Sequence, residues 1–220
     1  MNRRMLVLGV SSIAVAGFAG GAVFVRNRQR SEREKAIAQT PAVAEDFLIR
    51  SYSPVLGSAN APVTLVEFFD PSCEACRAFH PLVKQLLNSH PNDLRVVLRY
   101  TTFHKGSDEA VRILETARMQ QKFEPVLEAL LKEQPRWAKH GQPNLDLAWQ
   151  IAENAGLDLE KASSDRLFPG ITAILNQDSQ DVKAAGVRQT PTFFLNGKTV
   201  EIKSRESLSL AVKEAIGIAE

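Results

Sequence analysis

Cysteine is scarce in this chain: there are two among 220 positions, Cys73 and Cys76. A pair this close together cannot staple a small secreted scaffold, which needs several bridges. Nor does it complete a tetrahedral zinc site, which needs two further Cys or His ligands. The four histidines, His80, His90, His104 and His140, are scattered and show no ligand spacing. No metal site and no cofactor beyond the dithiol are therefore expected. An excess of one charge is also missing: Lys and Arg number 27 against 25 Asp and Glu, a net of +2. Residues 1–35 hold seven basic residues against two acidic, or 7 − 2 = +5, so residues 36–220 sum to 2 − 5 = −3. A mildly acidic body lacks the basic footprint that nucleic-acid binding requires. Repeats and low-complexity tracts are absent too. At 44% hydrophobic and 24% charged, the composition is that of a globular chain with one domain, or one domain carrying an insertion.

One long uncharged run stands out, residues 6–25. Its length suits a helix spanning a bilayer. Arg3 and Arg4 precede it, and Arg26, Arg28 and Arg30 follow. Two readings stand. Length favours an uncleaved anchor; the small residues at 17–22 favour a signal peptide cleaved after export. Arg3-Arg4-Met5-Leu6-Val7 loosely matches a twin-arginine signal. Either reading puts the body outside the cytoplasm, where disulfides persist. Residues 31–53, with Pro41, read as a linker or stalk. Pro54, Gly57, Asn60 and Pro62 mark loop before the first clear element.

Residues 63–69 (VTLVEFF) form a β-branched and aromatic run that predicts a buried strand. Asp70-Pro71-Ser72 breaks it. From 74 to 88 the apolar positions Phe79, Leu82, Val83, Leu86 and Leu87 recur at helical spacing. Residues 94–100 predict a second strand. Helical patterning then dominates 107–185: 107–121 with Ser107 or Asp108 as cap, 123–132, 145–155, 159–167 and 171–185. Strand signal returns at 192–195 and 199–202 around Asn196-Gly197, a strong hairpin signal. Residues 204–216 predict a terminal helix.

The cysteines thus sit where a strand hands over to a helix. Unpaired amides and the macrodipole at a helix N-terminus favour negative charge. A thiolate at Cys73 is stabilised there, and the thiolate is the species that attacks disulfides. Cys76, one turn further in, is expected to be more buried and able to resolve the mixed disulfide by attacking Cys73. Glu67 lies six residues before Cys73 in the apolar strand. Buried, it would titrate high and could accept the proton of Cys76; on a sheet edge it would simply face solvent. Pro81 falls inside the following helix and should kink or end it. Pro191, in Thr190-Pro191-Thr192, cannot donate to a ladder, and a cis peptide before it is the candidate explanation.

These stretches, VEFFDPSCEACRAFHP and DVKAAGVRQTPTFFLNGK, resemble the thioredoxin superfamily, and within it the DsbA-like branch, over about residues 54–215. The resemblance implies an α/β thioredoxin fold with an inserted helical domain, preceded by an N-terminal hydrophobic helix. Residues 1–30 would be the signal or anchor and 54–106 the first half of the fold. Residues 107–180 would be the insertion and 181–220 the second half. It implies Cys73 as exposed nucleophile, Cys76 as resolving cysteine, Glu67 as buried acid and Pro191 as a cis-proline facing the sulfurs. Thr190 would offer its backbone to an extended substrate segment. It implies a protein disulfide oxidoreductase acting on exported proteins with thiols or disulfides, linked to a membrane redox partner. The dipeptide between the cysteines departs from the family's common pattern: Glu74-Ala75 replaces a proline and, often, a histidine. A carboxylate beside Cys73 opposes thiolate formation, so a weaker oxidant than the strongest members is expected. Thr190 leaves the direction of electron flow open between oxidase, reductase and isomerase. Outside that frame stand a thiolate site for a soft metal such as Cu(I), and a docking module with an inert disulfide.

Trp137 and Trp149 read as packing in the helical stretch, His80 as a helix-surface residue and His104 as a loop residue that could approach the site.

Overall fold

All seven residues of β2, Val63–Phe69, are buried, because the strand lies in the middle of the sheet with helices over both faces. The computed structural model describes Arg28 and residues 45–218. Its five strands run in the order β1-β3-β2-β4-β5. β3, Leu94–Tyr100, pairs parallel with β2, and β4, Thr192–Leu195, pairs antiparallel on its other side. β5, Lys198–Val200, returns from the Asn196-Gly197 turn and closes one edge. Side chains alternate across a strand. Val63, Leu65 and Phe69 therefore enter one apolar cluster, which also holds both cysteines, while Val66 and Phe68 enter a second on the opposite face. Glu67 shares the parity of the first set, so the register aims it toward the cysteines.

The other edge is β1, Val55–Gly57, paired antiparallel with β3. The sequence reads as loop there. Three residues among turn formers carry no periodicity, and only pairing with β3 makes them a strand. Gly57 is required: its φ is 85°, and a Cβ would lie 2.9 Å from Leu87 Cδ2 and 3.0 Å from the Leu94 carbonyl. Upstream, α1 spans Glu45–Leu48.

The helix after the cysteines, α2, spans Glu74–Ser89 and continues through Pro81 rather than ending there. The helical insertion between the two halves of the sheet begins with α3, Ser107–Met119, and α4, Phe123–Lys132. The four-residue α5, Gln134–Trp137, was not legible in the sequence. α6, Leu145–Asn154, α7, Leu159–Asp165, and α8, Pro169–Ala184, follow. The terminal helix α9, Arg205–Ile216, starts at a capping box made by Ser204 and Ser207. Neither Ser107 nor Asp108 caps α3; Gly106 does, at φ 83°. The Ser107 hydroxyl is committed elsewhere, as described below. Trp137 is fully buried and donates its indole N–H to the Leu130 carbonyl at 2.8 Å, as a packing residue should.

The second face of the sheet hides a charge cluster. Arg99 on β3 is fully buried and donates to Asp178 at 2.7 Å and Asp181 at 2.6 Å, both on α8. Asp178 also accepts from the Tyr52 hydroxyl at 2.6 Å and the Tyr100 amide at 2.8 Å. Arg50 reaches Asp181 through two bonds of 2.7 and 2.8 Å. Buried charges persist when paired and hydrogen-bonded on this scale, and here they fasten residues 50–52 and α8 to the sheet.

No helix among the described residues is long and apolar enough to cross a membrane, and the anchor or signal segment at 6–25 lies outside the described residues.

Candidate active site

β2 stops at Phe69, and Asp70-Pro71-Ser72 carries the chain into α2. Cys73 is the N-cap of that helix, with extended φ −77° and ψ 121°. Its amide donates to the Asp70 carbonyl at 3.0 Å, and its carbonyl accepts from the Arg77 amide at 3.1 Å. Its sulfur therefore stands where the first helical amides are unpaired. Both cysteines are free thiols.

The two sulfurs are pushed in opposite directions. Cys73 is lowered from an ordinary 9.0 to about 5. The largest cause is the hydrogen bond from the Cys76 side chain; burial opposes it, and the Thr190 side chain and the amides of Ala75 and Cys76 reinforce it. Cys76, fully buried, is raised well above its ordinary value by burial first, then by its bond to Cys73 and the field of Glu67. The pair is thus one ready anion and one retained thiol. Glu74 is exposed, where water weakens its repulsion of the thiolate. The value of about 5 still lies above the ~3.5 of the strongest DsbA-type oxidants.

Cys73 is not open on the surface: it is 6% exposed, because its N-cap position tucks it under the Thr190 loop. In the thiol form its Sγ donates to the Thr190 carbonyl at 3.3 Å. The Thr190–Pro191 peptide is cis. Segments 117 residues apart in sequence thus meet at one sulfur.

Glu67 is 2% exposed on the central strand, which removes the solvent-facing reading. Burial, and secondarily the charge of Cys73, raise it from 4.5 to about 8. It keeps its proton at neutral pH.

Several residues at the site had no signal in the sequence. Asp70 looked like a strand breaker. It is fully buried and ties three segments together. Its Oδ1 accepts from the Ser72 amide at 2.8 Å and the Ser107 hydroxyl at 2.6 Å. Its Oδ2 accepts from the amides of Phe103 at 2.8 Å and His104 at 3.2 Å, and meets His104 Nδ1 at 2.8 Å. Its own amide donates to Cys76 Sγ at 3.5 Å. Gln134, from the short α5, donates Nε2 to the carbonyls of Pro71 at 2.8 Å and Cys73 at 3.0 Å, while Arg77 donates to its Oε1. The helical insertion therefore braces the turn that carries the nucleophile. His104 does approach the site. His80, by contrast, faces Glu128 at 3.0 Å on the other side of α2's first turns and takes no part. Among the described residues no group of three or more His, Cys, Asp or Glu could hold a metal ion.

A strand feeding a helix that opens on CxxC, a cis Thr-Pro pressed against the first sulfur, and a helical block between the two halves define a dithiol protein of the thioredoxin fold with a helical insertion. The chain belongs to the thioredoxin family, whose model matches residues 50–214. A thioredoxin-like oxidoreductase from Silicibacter pomeroyi superposes with a TM-score of 0.66 at 31% identity, covering 82% of this chain and 99% of that one. The DsbA2 thiol–disulfide exchange protein of Wolbachia pipientis shares the fold, with a TM-score of 0.69 at 20% identity over 84% of this chain and 98% of its own. In sequence, a Rickettsia typhi protein provisionally named a protein-disulfide oxidoreductase is 26% identical over 195 residues, 86% of this chain and 70% of that one. A Na(+)/H(+) antiporter of Herminiimonas arsenicoxydans is 28% identical over 215 residues, 98% of this chain; the chain spans 33% of that relative's length.

Proposed function

We propose that this protein is a thiol–disulfide oxidoreductase that forms disulfides in exported proteins outside the cytoplasm. The observation that carries the reading is the seat of Cys73 at the N-cap of α2 against the cis Thr190–Pro191 loop, an environment that holds it near 5 while burial holds Cys76 high. A stabilised thiolate at Cys73 favours the reduced dithiol, and a protein whose reduced form is favoured acts as an oxidant.

In the oxidised protein, a substrate thiolate attacks Cys73 Sγ. A substrate–Cys73 bond forms, the Cys73–Cys76 bond breaks, and Cys76 leaves as a thiolate. Glu67, protonated at neutral pH, is the group that returns a proton to Cys76. A second substrate thiolate then attacks the substrate sulfur of the mixed disulfide and expels Cys73 as the stabilised anion. The substrate loses two electrons and becomes a disulfide; the protein gains two and becomes the dithiol. Thr190, whose carbonyl is within hydrogen-bond reach of the sulfur, gives an extended substrate segment a backbone partner, and Pro191 shapes that loop. A membrane redox partner withdraws the two electrons again. The uncharged run at 6–25, read as an inner-membrane anchor or as a cleaved signal, supports the extracytoplasmic setting.

The experiment is a trapping assay. Cys76→Ala, with Cys73 activated as a mixed disulfide, should accept a peptide carrying a single thiol, lose the activating group, and stall as a covalent peptide–Cys73 adduct visible by mass. The wild-type disulfide should oxidise a dithiol peptide fully. A wild-type protein unable to oxidise or reduce any dithiol peptide, or a Cys73→Ala variant that retains full exchange, rejects the reading.

A further inference from the structure

We infer that the cleft beside Cys73 is a recognition site for carboxylate-bearing substrate segments, so that acidic residues flanking a substrate cysteine accelerate exchange. This rests on the oxidoreductase reading and names its substrate class.

The cleft holds about 460 Å³, and its wall includes Cys73 together with His104, Lys105, Lys139 and His140. It is built from three places: the start of α2, the loop before α3, and the loop between α5 and α6. Two lysines and two imidazoles face one exposed carboxylate, Glu74. That balance reverses the −3 carried by residues 36–220. A cleft lined by one sign of charge concentrates ligands of the other sign and speeds their encounter. In an otherwise acidic body, two exposed lysines thus stand beside the nucleophile.

One imidazole is fixed in place before any substrate arrives. His104 is held by Asp70 at 2.8 Å, and its ring meets that of His140 edge-on at 6.1 Å. Asp70 is itself locked by four donors, so the imidazole cannot swing away without breaking a buried network. Burial alone would lower the affinity of His104 for its second proton, but Asp70 and then the Cys73 and Glu74 charges outweigh it and raise it. The Nε2 side of the ring is left for a ligand. Cys73 belongs both to this wall and to the Thr190 contact. A segment lying along Thr190 with its sulfur on Cys73 therefore runs its neighbouring residues toward the cleft.

The test uses the full-length oxidised protein and three dithiol peptides identical except for flanking Asp, Ser or Lys. Flanking charge alters a thiol's own reactivity, so the readout is a ratio of ratios. The Asp-to-Lys rate ratio is taken for wild type, for K105E combined with K139E, and for His104→Gln. Intrinsic peptide reactivity cancels. The charge-reversed protein should lower the ratio roughly tenfold and His104→Gln roughly twofold, given what partly exposed ion pairs contribute. Both effects should shrink in high salt. Both lysines are exposed, so the reversal leaves the fold intact. A ratio unchanged across the three proteins overturns the inference while exchange itself persists. A wild-type protein that exchanges with none of the peptides overturns the oxidoreductase reading instead.

Discussion

Titrating Cys73 tests the site most directly. The perturbation is pH, applied to the dithiol form and to the disulfide form, with Cys76→Ala as a second protein. Cys73 falls from 9.0 to about 5 on folding. A depressed folded value adds stability above the unfolded pKa, and that stability is lost as pH falls through the folded one. The window is therefore about pH 9 down to about pH 5. At pH 7 the solution stands two units above the folded value, so linkage gives about 2.7 kcal/mol at ~1.36 per unit. Cys73 is 6% exposed but lines a solvent-accessible cleft, and screening there reduces this to about 1–2 kcal/mol. For a two-electron couple at ~30 mV per 1.4 kcal/mol, that raises the reduction potential by about 20–40 mV over an unperturbed pair. Thiolate ultraviolet absorbance should show a midpoint near 5 in wild type, and an upward shift of about a unit or more in Cys76→Ala, which lacks the strongest hydrogen bond. Denaturant melts should show the advantage of the dithiol form fading between pH 7 and pH 5. A midpoint near 9, or a dithiol advantage independent of pH, refutes the account.

Two further outcomes follow from buried groups. Glu67 is raised from 4.5 to about 8, so wild type loses stability as pH climbs through that interval, because the unfolded chain releases a proton that the folded chain keeps. Glu67→Gln should remove that slope and become more stable than wild type by about 3–5 kcal/mol near pH 8, while forming the first mixed disulfide, the step in which Cys76 leaves, about a hundredfold more slowly in stopped-flow exchange. Parallel pH–stability curves for the two proteins exclude this role. Arg99→Leu removes the buried cation shared by Asp178 and Asp181, leaving Asp178 with only neutral donors, and should cost about 3–5 kcal/mol in urea unfolding, with the Cys73 titration unmoved.

Much of the fold could be read locally. The apolar run 63–69 and the helical spacing after Glu74 appear as β2 and α2 at nearly the expected residues. The hairpin around Asn196-Gly197 appears as β4 and β5, with β5 starting at Lys198 rather than at 199. Strong patterns survive because hydrophobic periodicity and turn chemistry act over a few residues. β1 and α5 escaped notice, being three and four residues long. Segments that short draw their stability from pairing or docking, which leaves no periodicity to detect. Likewise Asp178 and Asp181 have the look of helix-surface residues, and only the covering of the sheet by α8 shows them to be partners of Arg99.

The CxxC at a strand-to-helix junction is a property of the chain itself. A helix beginning at Cys73 exposes unpaired amides to that sulfur in any packing that preserves the helix, so the preferred thiolate was determined by local sequence. What tertiary structure alone decided is everything that reaches the sulfur from far away. The Thr190 carbonyl arrives from 117 residues downstream, Asp70 meets His104 across 34, and Gln134 grips the turn across 61. So does the depth of Cys73, which the chain suggested would be exposed and the loop over it made almost buried. Local sequence controls helix starts and strand runs because their energies come from near neighbours. Burial, and the pKa values and cleft charge that burial creates, depend on which distant segments displace water, and the sheet's pairing order sets that.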